Sequence, residues 1–509
     1  MMTTMSRYRD LIGRCPGDNR RSVLTPAHFN LTQCLANLKI RVSGIRIVAS
    51  SVFRLQHVFF KKQKSFLEVQ IRFLTLNMDI YHGTFIHCEN FGEIEVLENT
   101  AVLVQEGIIE GIIVNINFEE LLSTYKTSEL KIRDIYSLSD QEFMIPGFID
   151  AHIHGPQFEN AGLGYDKALL EWLKAYTFPL EKKFEDINYA TPVYEKVVET
   201  TLKNGTTTAA YFGTIHAKSC LKLAKIAKMK KQRAFIGKVN MNMNVPDYLK
   251  EDTRQSIRDT KQFIKDVISL NDPRIQPIIT PRFAVSCDLN MLEQLGAVQK
   301  EFNCHVQTHV SENVDEIEFI KQLFPKHASY TDVYRKANLL GEKTILAHGV
   351  HLTDEELELI RETNSSVIHC PASNTCLKSG LCNVRRLLNN KIKVGLGTDV
   401  AGGYNPTILD AMRRAIDVSN HVFLLDPEYR PLNYKEVFYL ATMGGAEALS
   451  LDDKIGNFDI GKDFDALLVN MENKLIRDLR PEELFQKFLY LGDDRNIKNV
   501  FVAGDKVII

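Results

Sequence analysis

The chain has 509 residues, 44% of them apolar and 25% charged, with a formal net charge of -2. That length suits a large domain with a smaller companion. Near-neutral charge gives no electrostatic footing for nucleic acid, and no uninterrupted apolar run reaches about 18 residues, so neither nucleic-acid binding nor a membrane-spanning helix is expected.

Residues 1–75 read as an N-terminal extension. From Arg7 to Lys64 there are twelve Lys or Arg against Asp10 and Asp18 alone. A basic, acid-poor start of this kind is a targeting peptide, a disordered extension or a stretch upstream of the start used in the cell. The nine cysteines are scattered, odd in number and without C-x-x-C pairs, which suggests reduced thiols and a cytoplasmic setting. An organelle is the alternative if the extension is a transit peptide.

A β-rich pattern begins near Ile80 with "IYHGTFIHC", "IEVLENTAVLVQEGIIEGII" and "EFMIPGF". It returns at the far end in "GNFDIGKDFDALLVN" and "IKNVFVAGDKVII". Residues 76–143 and 449–509 are therefore expected to form one small β-sandwich domain from both flanks of a longer middle.

That middle, residues 144–448, alternates short apolar runs with amphipathic stretches. The predicted strands are "MIPGFIDAHIH", "GTTTAAYFG", "RAFIGKVNMN", "IQPIITPRF", "CHVQTHVSE", "TILAHGVHL", "SVIHCPAS" and "VGLGTDVAGG", and helical segments such as "YEKVVETTLKN", "SCLKLAKIAKMKK" and "DEIEFIKQLF" lie between them. Eight strand–helix units predict an α/β fold with a closed (β/α)8 TIM barrel, whose chemistry belongs at the C-terminal strand ends.

Metal-ligating residue types gather at those ends. His152 and His154 are two apart on a strand, so both imidazoles can share one face. His309 ends "VQTHV", His348 ends "ILAH", and Asp399 follows "VGLGT". Three His nitrogens and a carboxylate suit Zn²⁺ and leave a position for water. Glu312 stands just past the strand bearing His309, where a carboxylate beside an activated water can shuttle its proton. The plainer role for Glu312, with Asp315 and Glu316, is to begin the next helix. Lys238, a formal candidate for a carboxylated bridging lysine, is placed on the third strand, which argues against a binuclear site. His82, His87, His305, His327 and His421 are expected at the surface or in packing, and His216, His351 and His369 remain possible supports of the ligands.

Together "PGFIDAHIH", "THVSE", "ILAHG", "HCPASN" and "GLGTD" resemble the amidohydrolase superfamily in its mononuclear zinc deaminase branch. "LLEWLKAYTFPLEKKF", "TLKNGTTTAAYFGTIH", "PIITPRFAVSC", "LDAMRRA" and "FLYLGDDRNI" bring the chain close to the guanine deaminases, from about Ile80 onward. The resemblance implies one zinc per chain held by His152, His154, His309 and Asp399, with Glu312 as proton shuttle and His348 and Asp399 also catalytic. It implies that His154, Gln157, Arg282, Phe283, His309, Glu312 and Asp399 surround the substrate, and that a homodimer converts guanine and water to xanthine and ammonia in purine catabolism. An Arg fork suits the O6 and N7 acceptors of guanine, and an aromatic ring can wall in the purine. The chain departs from the family at Gly155-Pro156 and Asn405-Pro406. Two other readings stay open: a deaminase of the same superfamily with a different substrate, and a non-catalytic scaffold.

Overall fold

Fully buried strands and partly exposed ones build two separate sheets. A computed structural model describes residues 77–126, 132–472 and 479–507, so the basic extension expected over residues 1–75 lies outside the described residues. The first five strands are β1 (Met78–His87), β2 (Glu95–Gln105), β3 (Ile108–Ile113), β4 (Ile132–Ser137) and β5 (Glu142–Pro146). Eight follow in alternation with helices: β6 (Phe148–His154), β7 (Thr206–Phe212), β8 (Arg233–Asn240), β9 (Ile275–Pro281), β10 (His305–Val310), β11 (Thr344–His348), β12 (Ser366–His369) and β13 (Lys393–Leu396). The chain ends with β14 (Ala466–Asn470), β15 (Ile497–Val502) and β16 (Asp505–Val507).

Strands β6 to β13 pair in parallel in sequence order. The chain just past β13 closes on β6, with Asp399 N donating to His152 O (2.9 Å) and His154 N to Val400 O (3.0 Å). The eight predicted strands and the (β/α)8 architecture are therefore present. Ile149, Ala151, Ala210, Phe235, Ile278, Ile345 and Ile368 pack together with Ala446 and Leu449. These side chains make the barrel interior a packed core. The opposite faces of the strands pack under helices such as Ile187–Lys203 and Ala217–Met229.

The remaining strands form a second sheet in the order β16-β15-β14-β5-β1-β2-β3, with β4 also on β1. Alternation along β1 and β2 puts Tyr81, Phe85, Val102 and Val104 on one face with Phe464 and Phe501, and Ile80, Ala101 and Leu103 on the other. The sheet curls back on itself. Ile109 N donates to Lys462 O (2.9 Å) and Phe464 N to Gly107 O (2.8 Å). The expected sandwich is thus one curled sheet, assembled from both flanks of the barrel.

The run "MIPGFIDAHIH" divides at Gly147. Glu142–Pro146 pairs with β14 in the curled sheet, and Phe148–His154 opens the barrel. A Cβ at Gly147 would stand 2.1 Å from Thr207 Oγ1, so the crossing requires glycine. Seven described cysteines are free thiols. Among the described residues no helix is long and apolar enough to cross a membrane.

The two sheets are tied by a buried ion cluster. Arg233, at the start of β8, donates through Nη2 to Asp463 (2.8 Å) and Asp465 (3.1 Å) just before β14. Removing one partner leaves buried charge uncompensated at a cost of about 3–5 kcal/mol. Arg233→Met is expected to lower the unfolding free energy by that order, read by circular dichroism as a fall in the urea midpoint. An unchanged midpoint would mean that the sheets are joined by apolar packing alone.

Candidate active site

Local backbone irregularities aim the polar residues at the barrel mouth. In β6 the register with β7 shifts between Asp150 and Ile153. This irregularity follows Ile149 and Ala151, which fill the barrel interior, and both His152 and His154 turn into the mouth above them. Ordinary alternation serves β10: Val306 and Val310 pack under the helices, and His309 faces the opposite way. In β11 alternation alone would fail. Leu346 packs against the helix layer, and His348 shares its parity. His348 has φ of 74°, a left-handed conformation that turns its ring toward the mouth. Asp399 is also left-handed, with φ of 46°.

The four proposed ligands converge. One ligand atom from each of His152, His154, His309 and Asp399 lies within 4.8 Å of the others, and all four residues are buried. His154 Nε2 and His309 Nε2 are 3.2 Å apart. Asp399 Oδ1 is 3.1 Å from His152 Nε2 and 3.3 Å from His154 Nε2. Tetrahedral zinc with bonds of about 2.0–2.1 Å spaces its ligands by about 3.3 Å, which these separations match. Protonation states agree as well. Burial holds the imidazoles of His152, His154 and His309 below their usual range. Burial opposes ionisation of Asp399, yet the neighbouring histidines hold its carboxyl well below the usual carboxylate range. Neutral imidazoles with an ionised carboxylate are the donor set a cation requires. The Nδ1 of His309 bonds to Arg282 O at 2.6 Å, which leaves its Nε2 lone pair free for the cluster. A second group, His152, His348 and Cys370, shares one of these ligands. Burial holds the Cys370 thiol well above its usual value, in its protonated form.

Glu312 is not part of the following helix. Asn313 caps that helix in a capping box with Glu316, and Glu312 stands one residue outside it. Its backbone N–H is taken by Glu316 (3.0 Å), and its Oε1 accepts from Ser379 Oγ (3.1 Å). Its Oε2 lies 3.4 Å from His348 Nε2. Burial pushes the Glu312 carboxyl up to about 7, a value suited to moving protons near neutral pH. Burial lowers the imidazole of His348, but the carboxylates of Glu312 and Asp399 outweigh it and hold the ring above its usual value. Asn374 Oδ1 meets His348 Nδ1 at 2.9 Å and orients the ring.

One cavity joins this cluster to the residues expected to read a base. His154, His309, Glu312, His348 and Asp399 line it together with Gln157, Arg282 and Phe283. His152, the fourth member of the cluster, lies behind this lining with its ring 4.9 Å from that of His309. Trp172, Leu169, Leu173 and Leu377 complete an apolar wall. Sequence reasoning did not single out that wall, nor Glu181 or Asp150. Glu181 is fully buried and accepts from Arg282 Nη1 (2.9 and 2.8 Å) and from Gln157 Nε2 (2.9 Å). Asp150 accepts from the backbone N–H of Thr398 (3.1 Å) and of His152 (3.3 Å), bracing the first and last barrel strands beside the cluster. Acids inside apolar runs, in "TFPLE" and "GFIDAHIH", were the available signals for both residues.

The remaining candidates lie outside the cavity. His216 Nδ1 pairs with Thr214 Oγ1 (3.0 Å), and His351 Nε2 with Ser379 O (2.6 Å). His369 is fully buried, and among the described residues its ring nitrogens have no partner. The ammonium of Lys238 donates to Val239 O (3.0 Å), Ser256 Oγ (3.2 Å) and Glu251, away from the cavity. Gly155-Pro156 opens a 3-10 turn, Gly155–Asn160, that buries Gln157. Asn405 Oδ1 accepts from Thr407 N (3.2 Å), at the cap of the helix Ile408–Leu425.

The amidohydrolase family pattern matches residues 143–507. Guanine deaminase of Mus musculus is 46% identical over 442 residues, spanning 84% of this chain and 96% of that protein. The Homo sapiens guanine deaminase is 46% identical over 444 residues, with 84% and 96% covered. A crystal structure of guanine deaminase from C. acetobutylicum, with guanine bound in its active site, superposes with a TM-score of 0.80 at 36% identity, covering 85% of this chain and 100% of that one.

Close packing around the cluster gives a test of its geometry. A Cβ at Gly397 would lie 2.8 Å from His152 Cβ and 3.0 Å from His152 O. Gly397→Ala is expected to displace His152 and weaken zinc retention by about 10- to 100-fold, the range for disturbing the surroundings of metal ligands. Zinc content after dialysis against graded chelator reads this. Unchanged retention would show that the strand end yields without moving His152.

Proposed function

Since the chain belongs to the amidohydrolase family, in its guanine deaminase branch, we propose how its own side chains carry out the hydrolytic deamination of guanine to xanthine and ammonia. The observation that carries this reading is the single cavity in which the donors His154, His309 and Asp399, the acid–base pair Glu312 and His348, and the base-reading set Gln157, Arg282 and Phe283 face one another.

His152, His154, His309 and Asp399 would hold one zinc ion per chain. Bound there, zinc supplies charge to acidify a water and to stabilise the oxygen that adds to the substrate. Phe283 walls in the purine, and Arg282 and Gln157 fix its edge so that C2 faces the cluster. Glu312 takes the proton of the attacking water and delivers it to a ring nitrogen as C2 becomes tetrahedral. His348, oriented by Asn374 between Glu312 and Asp399, donates toward the oxygen added at C2. Glu312, a carboxylate again after that delivery, takes the remaining proton of the hydroxyl on C2 and passes it to the exocyclic amine; the C2–N bond breaks as the C2–O bond becomes a carbonyl, and ammonia leaves xanthine behind. Arg282 and His309 are linked through the Arg282 carbonyl, so the base-reading and metal-holding halves share one short segment.

The wider setting is part of the same proposal. The barrel of residues 144–448 carries the chemistry, and 76–143 with 449–509 form the companion domain. The free thiols support a reducing, cytoplasmic setting for purine catabolism. The exposed side chains of Leu424 and Leu425 support a homodimer, since a second copy would cover them.

Ammonia release from guanine, adenine, cytosine and a methylthioadenosine-type nucleoside, measured in parallel on zinc-loaded protein, tests the substrate. Release from guanine alone is expected. Release from another base would keep the site and overturn the substrate. Glu312→Gln is expected to keep its zinc and lose about 10²- to 10⁴-fold in kcat. Turnover within threefold of wild type would remove Glu312 from the proton path.

A further inference from the structure

Glu181 sits on the short helix Phe178–Lys182, far in sequence from Arg282 and Gln157 yet bonded to both. Its two oxygens straddle Arg282 Nη1 at 2.9 and 2.8 Å. Phe178 lies three residues earlier, on the same helical face, and its ring centre is 5.4 Å from the guanidinium carbon. The guanidinium is therefore gripped from two directions by one helical turn. Among the described residues no acceptor meets Arg282 Nε or Nη2, and the side chain lines the cavity. Gln157 is oriented by the same carboxylate. Its Nε2 donates to Glu181 Oε1, and its own Oε1 accepts from Ala401 N at 3.4 Å.

Three physical consequences follow. Glu181 cancels the charge of Arg282, both side chains being buried, so the pair does not demand an anionic ligand. It fixes which N–H groups of the guanidinium remain for a ligand. It also decides which end of the Gln157 amide is available, since an amide locked at its nitrogen cannot flip. Resting on the guanine deaminase reading above, we propose that Glu181 is a positioning residue that sets specificity for a 6-oxopurine, by aiming Arg282 and Gln157 at the oxo-bearing edge of the base. It touches neither the reacting carbon nor the donors of the metal cluster, so its effect is on substrate affinity more than on the chemical step.

The test uses full-length, zinc-loaded wild type, Glu181→Gln and Glu181→Asp. Calorimetry measures binding of hypoxanthine, which carries the 6-oxo group but no 2-amino group to lose, and of purine, which carries neither. Steady-state kinetics are run on guanine. In Glu181→Gln, hypoxanthine is expected to bind at least tenfold more weakly and purine to change less than threefold. The KM for guanine is expected to rise by a larger factor than kcat falls. Glu181→Asp keeps the charge with a shorter reach, is expected to fall between the two, and carries the same criterion if the Gln variant does not fold. Hypoxanthine affinity within threefold of wild type, or an equal weakening of both bases, would overturn the assignment. Failure of the wild type to deaminate guanine would overturn the functional reading instead, and the calorimetric arms would still decide the role of Glu181.

Discussion

Two imidazole nitrogens facing each other at 3.2 Å in a buried cavity, with a carboxylate oxygen 3.1–3.3 Å from the Nε2 atoms of His152 and His154, gather lone pairs that need shared protons or a cation between them. Much of the surrounding structure holds His152, His154, His309 and Asp399 in that arrangement. Asp150 braces the strand ends at His152 and Thr398. The Arg282 carbonyl orients His309. Phe212 packs its ring 4.6–4.9 Å from His152, His154 and His309, an apolar floor that excludes water and competing acceptors. The left-handed backbone at His348 and Asp399 belongs with this constraint, since strained residues persist where the surroundings over-determine them.

The cavity separates two electrostatic tasks. On one side lie the four clustered residues and Glu312, all buried. Burial raises Glu312 toward neutrality while nearby histidines hold Asp399 ionised, so two carboxyl groups in one pocket are driven to different protonation states. On the other side Arg282 and Glu181 form a pair whose charges cancel. A flat, neutral ligand suits the space between them better than an anion does, because the only permanent cation on that wall among the cavity-lining residues is already matched.

Arg282 meets both sides, with its backbone carbonyl on His309 and its side chain lining the cavity. A shift of this one residue therefore moves His309 and the Arg282–Glu181 wall together. The geometry of the cluster and that of the opposite wall are thereby coupled through one short segment.

From the sequence alone it was possible to read eight alternating units, a companion sheet built from both flanks, and the gathering of His152, His154, His309 and Asp399 at the strand ends. Those features are carried by local periodicity and by residue types at strand ends, which need no knowledge of distant neighbours. Glu312 was legible as a candidate, but its neighbours Asp315 and Glu316 offered an equally good helix start; only the folded chain shows Asn313 capping that helix and Glu312 left outside it. The same limit applies to His348, whose place in the mouth depends on one backbone torsion that strand alternation does not predict. Glu181 lies 101 residues from Arg282 and 24 from Gln157, so no spacing rule connects them. Tertiary structure decided their meeting, because a buried carboxylate must find donors wherever the packed barrel places them.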